Sequence, residues 1–145
     1  MTAKLSYLQY SYNGNDIISY TSLGCDVPLG MEDRCIKDKQ ISASSWWSNR
    51  DSRHAPWQGR LNNKQISSVS TGSWSAGHRK AGEYLQIDLL RTTLSTKVAT
   101  QGRPSYLQWV KSYSLAYSND NTTWSDYGNP VKVRVCLCCR PITVG

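Results

Sequence analysis

Trp46 and Trp47 stand side by side in Ser44–Asn63 (SSWWSNRDSRHAPWQGRLNN), among Arg50, Arg53 and Arg60 with Lys64 directly after, and Asp51 is the only carboxylate of the stretch. Neighbours in an extended segment point to opposite sides, so the two indoles cannot both face one core. At least one is expected at the surface, where an apolar patch marks an interaction site. Ser67–Gly82 (SSVSTGSWSAGHRKAG) adds His78, Arg79 and Lys80, and Gly102–Gln108 adds Arg103 and Tyr106. Cations beside apolar tips suit an anionic surface, either phospholipid head groups or acidic glycans. The arginine fork also matches carboxylate and sulfate-like groups. Nothing comparable supports catalysis: no GxSxG, HExxH, P-loop or glycine-rich dinucleotide fingerprint occurs. Cys136, Cys138 and Cys139, taken with His54 and His78, have no zinc-pair spacing, so no metal site is assigned. Asn121-Thr122-Thr123 is an N-glycosylation sequon in the turn-rich Ser118–Thr122.

The elements that position these residues read as strands. The chain has 145 residues, seventeen Lys+Arg, ten Asp+Glu, six Trp, nine Tyr and no Phe. That length is one domain. Aromatic content of 10% with 19% charge excludes a disordered chain, and no apolar run is long enough for a transmembrane helix. Tyr84–Leu89 (YLQIDL) alternates Leu85, Ile87 and Leu89 with Gln86 and Asp88, the period of a half-buried strand. Ser112–Ser118 repeats the pattern with Tyr113, Leu115 and Tyr117, and Val131, Val133 and Val135 form another candidate strand. Short strands between turn signals predict an all-β sandwich or barrel. With no Phe, Trp57, Trp74, Trp109 and Trp124 are expected to dominate the core.

Met1–Gly24 holds no apolar run of secretory type, because Tyr, Ser, Gln and Asn interrupt it. Five cysteines, an odd number, would leave a thiol free or paired between chains in an oxidising compartment. Charge is unevenly spread. Residues 25–131 carry 13 basic and 9 acidic side chains, a balance of +4, and Lys132, Arg134 and Arg140 add the remaining +3 of the +7 total.

Six words in order resemble the discoidin, or coagulation factor type C, domain: CDVPLGMED (Cys25–Asp33), QISASS (Gln40–Ser45), APWQGRLNN (Ala55–Asn63), YLQIDL (Tyr84–Leu89), VATQGR (Val98–Arg103) and WVKSYSLAYSNDNTTW (Trp109–Trp124). The resemblance implies a jelly-roll β-sandwich with binding loops at one end. It also implies that Arg60 is structural, pairing with an internal carboxylate. Two positions depart from the pattern: Arg34 and Leu90 stand where the family has a small residue or glycine. The ending departs further. The family continues with more strands and a closing cysteine that pairs with the first, whereas here VKVRVCLCCRPITVG follows, leaving Cys136 as the candidate partner of Cys25. The expectation is a truncated or frame-shifted sequence after about Asn129, with C-terminal strands missing or replaced.

The domain plan is therefore an unmatched leader (1–24), an incomplete discoidin-like domain (25–131) and an atypical Cys-rich tail (132–145). The function implied is a non-catalytic extracellular or cell-surface adhesion module that recognises glycans, anionic phospholipid or a cell-surface protein. Trp46 and Trp47 would supply apolar contact, and Arg50, Arg53, His78, Arg79, Arg103 and Tyr106 charge, stacking and hydrogen bonds. No cofactor is read; Ca²⁺ held by backbone carbonyls would leave no sequence trace. The alternatives are a basic single-strand nucleic-acid binder and a gene fragment without binding function.

Overall fold

The computed structural model describes the backbone of residues 2–11 and all of residues 28–93, 95 and 98–127. Five strands form it: β1 (Thr2–Ser11), β2 (Ile41–Ala43), β3 (Tyr84–Asp88), β4 (Trp109–Ser118) and β5 (Ser125–Asp126). Short 3-10 turns cover Asp38–Gln40, Ser52–His54 and Pro56–Gln58, and no α-helix occurs among the described residues. The fold is all-β. The strands make one antiparallel sheet in the order β2-β3-β1-β4-β5. The possible strand at Val131–Val135 and the pairing of Cys25 with Cys136 lie outside the described residues, as do Cys138 and Cys139.

β3 matches the period-two expectation. Leu85 and Ile87 are buried, and Leu89 just beyond the strand is too, while Tyr84, Gln86 and Asp88 are half-exposed. β4 departs from simple alternation: Leu115, Ala116 and Ser118 are all buried, with Tyr113 and Tyr117 half-buried. Both of its faces are covered towards its C-terminal end.

The core is aliphatic. Leu29, Ile36, Ile41, Leu85, Ile87 and Leu89 form it, and Trp57 and Trp74 pack against its flank without being fully buried. Trp109 and Trp124 are also half-exposed. The expectation of a tryptophan-dominated core is thus corrected. An indole needs a partner for its N–H when it leaves water, and Trp74 Nε1 reaches one only at the core's margin, donating to the Ser45 carbonyl at 2.9 Å.

Arg60 clamps the 28–38 segment over this core. Its side chain is 2% exposed and meets Asp38 Oδ1 at 2.6 Å. It also donates to the carbonyls of Met31 (3.0 Å) and Ile36 (2.8 Å). One guanidinium therefore satisfies two otherwise orphaned carbonyls and the carboxylate that half-exposed Asp38 turns inward.

β1 sits between β3 and β4, antiparallel to both. Thr2–Ser6 pair with Asp88–Tyr84, and Thr2–Ser11 pair with Ser118–Trp109 through register shifts near Gln9. Because β1 opposes both neighbours, β3 and β4 run parallel to each other. The segments entering β3 and β4, and the segment leaving β2, consequently lie at one end of the sheet.

Candidate functional site

Three loops meet at that end: residues 44–54 after β2, residues 64–75 in the approach to β3, and residues 102–108 before β4. Backbone bonds join the first two. The Trp47 N–H donates to the Ser75 carbonyl at 2.8 Å, the Ser75 N–H to the His54 carbonyl at 3.3 Å, and the Thr71 N–H to the Arg53 carbonyl at 3.1 Å. The third loop abuts the second at Gly72. Its φ is +72°, and a β-carbon there would collide with Pro104 and with the backbone of Lys64 and Gln65. Only glycine fits both the left-handed backbone and the close approach.

Each loop presents an apolar tip beside a left-handed residue. Trp47, 55% exposed, precedes Ser48 (φ 63°); Val69 follows Ser68 (φ 60°) in the turn that Ile66 and Ser70 close; Tyr106 and Leu107 follow Ser105 (φ 63°). Non-glycine residues seldom adopt this region. Ile66, Val69 and Leu107, all exposed, were not singled out from the sequence. Lone apolar residues in polar loops have no periodicity, and their only signal was a serine beside them.

The two tryptophans of the first loop have different fates. Trp47 projects, while Trp46 is half-buried with its indole Nε1 enclosed and without a hydrogen-bond partner among the described residues. The Trp46 backbone is held instead, its N–H donating to Asn49 Oδ1 at 3.2 Å.

The cations sort by partner. Arg53 makes a fork with Asp51, with distances of 2.6–2.9 Å. The Arg53 side chain and N–H pull the Asp51 carboxyl down to about 2 and raise the Arg53 guanidinium. Arg60 is spent inside on Asp38. The positive charge of the Trp46-bearing stretch that stays unpaired among the described residues is therefore Arg50 and Lys64, both exposed. Arg103 lies 4.1 Å over the Tyr106 ring and donates to Gln108 Oε1 at 3.1 Å, a cation–π contact that stiffens the third loop. Burial, and then the charge of Arg103, lower the His54 pKa; both disfavour the charged ring.

His78 and Arg79 are exposed on the run into β3, adjoining the first loop. The anchor here is Glu83, 4% exposed. It accepts from Ser44 Oγ at 2.6 Å, from Ser45 Oγ, and meets His78 Nδ1 at 3.0 Å. Burial pushes this carboxyl up, but the two hydroxyls and His78 outweigh it, and the net shift is downward. Gly77 closes the joint: its N–H donates to Ser45 Oγ at 2.9 Å, and a β-carbon would crowd that same atom. The ligand-loop residues inferred from sequence thus share one end of the sheet, with Arg53 tied in an ion pair and Trp46 half-buried.

The opposite end carries different features. The Asn121 turn follows β4 there, with Asn121 exposed and its Oδ1 accepting from Gln86 Nε2 at 2.9 Å. A groove of about 390 Å³ lies between the 29–37 segment and Leu89–Leu90, with the free thiol of exposed Cys35 on it. Both departures from the resembling pattern fall at this end, and both have left-handed backbone: Arg34 at φ 64° and Leu90 at φ 59°. No group of three His, Cys, Asp or Glu among the described residues could hold a metal ion.

The F5/8 type C domain profile matches residues 40–135. The chain is 40% identical over 110 residues to coagulation factor V of Pseudonaja textilis, covering 72% of this chain and 7% of that protein. It is 37% identical over 112 residues to bovine (Bos taurus) lactadherin, covering 74% and 25%. It is 38% identical over 106 residues to the human (Homo sapiens) EGF-like repeat and discoidin I-like domain-containing protein 3, covering 72% and 22%. The chain thus spans a quarter or less of each of these relatives. The profile match, over well more than half of the chain, shows that the chain belongs to the F5/8 type C, or discoidin, domain family.

Proposed function

We propose that this domain is a non-catalytic extracellular module that docks on anionic phospholipid surfaces through its three loop tips. The observation that carries the reading is the convergence of Trp47, Ile66, Val69, Tyr106 and Leu107, all exposed, at one end of a rigid sheet. Arg50 and Lys64 stand beside them. Aromatic side chains favour the membrane–water boundary, where ring and polar edge are both satisfied. Cations near an anionic leaflet add about 1 kcal/mol each, screened by salt. The exposed half of Trp47 amounts to about 100–140 Å² of a tryptophan's surface, or about 2.5–3.5 kcal/mol if wholly withdrawn from water. Asn121 lies at the far end, so a glycan attached there would leave the loops clear.

Vesicle sedimentation tests this. Vesicles of phosphatidylcholine with phosphatidylserine should retain the protein, and phosphatidylcholine alone should not. Trp47→Ala should weaken retention by about tenfold or more, since each 1.4 kcal/mol is a factor of ten. A folded sample that ignores the anionic vesicles, or a Trp47→Ala variant of unchanged affinity, would refute the reading. Capture on a glycan array without vesicle binding would move the ligand to the acidic glycans.

A further inference from the structure

Asn121-Thr122-Thr123 is a sequence feature that the loop reading leaves unused, and the structure gives it a definite setting. All three residues are exposed in the turn that follows β4. That turn is fixed from within. Ser118 Oγ accepts from the Asn121 N–H at 2.9 Å, and Asp120 Oδ1 accepts from the N–H groups of Thr122 and Thr123 at 2.8 and 2.7 Å. Asn121 has left-handed backbone, φ 61°, which asparagine tolerates better than most residues. Its side chain reaches across the sheet. Oδ1 accepts from Gln86 Nε2 of β3 at 2.9 Å, although β1 separates β3 from β4. The amide is thus held by its oxygen, while its nitrogen Nδ2 makes no hydrogen bond among the described residues.

We propose that Asn121 carries an N-linked oligosaccharide whose root is held against the far end of the sheet by Gln86. The co-reactant is a lipid-linked oligosaccharyl pyrophosphate, delivered by the transferase that reads Asn-x-Ser/Thr. Nδ2 attacks the anomeric carbon of the first sugar. The Nδ2–C1 bond forms, and the C1–O bond breaks with its electron pair leaving on the lipid pyrophosphate. One Nδ2 proton passes to a base of the transferase. The product keeps one amide N–H and an intact carbonyl, so Oδ1 retains its bond from Gln86 after the sugar is attached. The ten residues of β4 rise about 3.3 Å each and put roughly 30 Å between this turn and the loop that precedes the strand. The glycan therefore shades the Gln86-bearing face and leaves the loop tips open. The proposal rests on the extracellular reading in one respect, that the chain enters the secretory compartment.

The experiment supplies that entry itself. The full chain, behind an added secretion signal, is translated with microsomes. The protease-protected product is scored for a mobility shift that N-glycanase reverses, leaving an aspartate at position 121 in the mass spectrum. The parent and Thr123→Ser should shift once; Asn121→Gln and Thr123→Ala should not. Protection scores entry rather than folding, so a variant that folds poorly still gives an answer. A protected parent chain without the shift overturns the proposal, as does a shift that survives Asn121→Gln. Gln86→Ala should keep the glycan but loosen its first sugar, read by NMR relaxation of the anomeric carbon; unchanged mobility overturns the hold by Gln86. The secreted glycoprotein should bind phosphatidylserine vesicles as its N-glycanase-treated form does. Binding that appears only after the glycan is removed overturns the far-end placement. Vesicle binding by neither form refutes the loop reading and leaves the glycan result standing.

Discussion

Arg34 and Leu90 hold left-handed backbone with φ of 64° and 59°. An L-residue there sets its β-carbon against the carbonyl at a cost of roughly 1–2 kcal/mol. Glycine escapes that cost but loses about 0.4–1 kcal/mol through its freer unfolded chain. Replacing Leu90 by Gly alone mixes this gain with lost contacts, because the side chain, though 70% exposed, still covers part of the groove beside Leu89. The clean comparison is Leu90→Gly against Leu90→Ala, since neither keeps the side chain beyond the β-carbon. At an ordinary backbone position the alanine variant is the more stable. Here glycine should win by about 0.5–1 kcal/mol, the first term less the second. In a domain of this size that difference is a gap of about 2–4 °C in Tm. The same pair at Arg34 should give the same sign, since its one ion pair, to Asp38 at 3.9 Å with both side chains more than half exposed, is lost equally in both variants. The assay is thermal unfolding followed by tryptophan fluorescence, with matched urea melts. Alanine equal to or more stable than glycine at both sites would refute the backbone assignment and, with it, the physical account of why the family pattern has a small residue or glycine at these two positions.

Three further outcomes follow from the ion pairs and anchors. Arg60→Met should destabilise by about 2–4 kcal/mol, because it strands two carbonyls and a carboxylate turned inward; Arg60→Lys should recover only part, lacking the fork. Urea melts decide it, and a loss under 1 kcal/mol would show the clamp to be idle. The Asp51 carboxyl should titrate near pH 2 by carbon-13 NMR and return towards its ordinary 3.8 in Arg53→Ala; a wild-type midpoint already near 3.8 would contradict the fork. Glu83→Ala should cost about 1–3 kcal/mol by removing the buried carboxylate that accepts from Ser44 Oγ and Ser45 Oγ and faces His78. The folded-state pKa of Glu83 is lowered, so its contribution is full above the ordinary glutamate value of 4.5 and fades as pH falls below it. Stability measured between pH 7 and pH 3 should therefore decline less steeply in Glu83→Ala than in the parent, and equal slopes would remove Glu83 from the acid response.

What was legible in the chain was what local chemistry encodes. YLQIDL reads as β3 because burial on one face imposes a period of two, and the loop-bearing stretches stand out because they are long, polar and aromatic. The structural role of Arg60 came from the family resemblance rather than from local chemistry, and its partner Asp38 is half exposed. The central place of β1 was not legible. Thr2 pairs with Ser118 and Ser6 with Tyr84, and no local pattern in Thr2–Ser11 names partners so far along the chain. The split between Trp46 and Trp47 was legible as a rule about neighbours, but which one projects depends on the Trp47–Ser75 backbone bond. The pairing of Arg53 with Asp51 was likewise hidden, since a two-residue spacing makes a fork only where the chain turns at Ser52–His54. The cationic surface read from that stretch shrinks accordingly, from four side chains to Arg50 and Lys64.

The central position of β1 also sets a clock. Its ladders span more than seventy residues to β3 and about a hundred to β4, so both flanking strands must be synthesised and gathered before it has anywhere to bond. Closing such separations is paid in chain entropy before any contact rewards it, which slows folding. The sheet's seam is thus its last part to set: β2 can find β3, and β5 can find β4, well before the two ribbons are sewn into one surface, and only then does the sheet hold the third loop beside the other two.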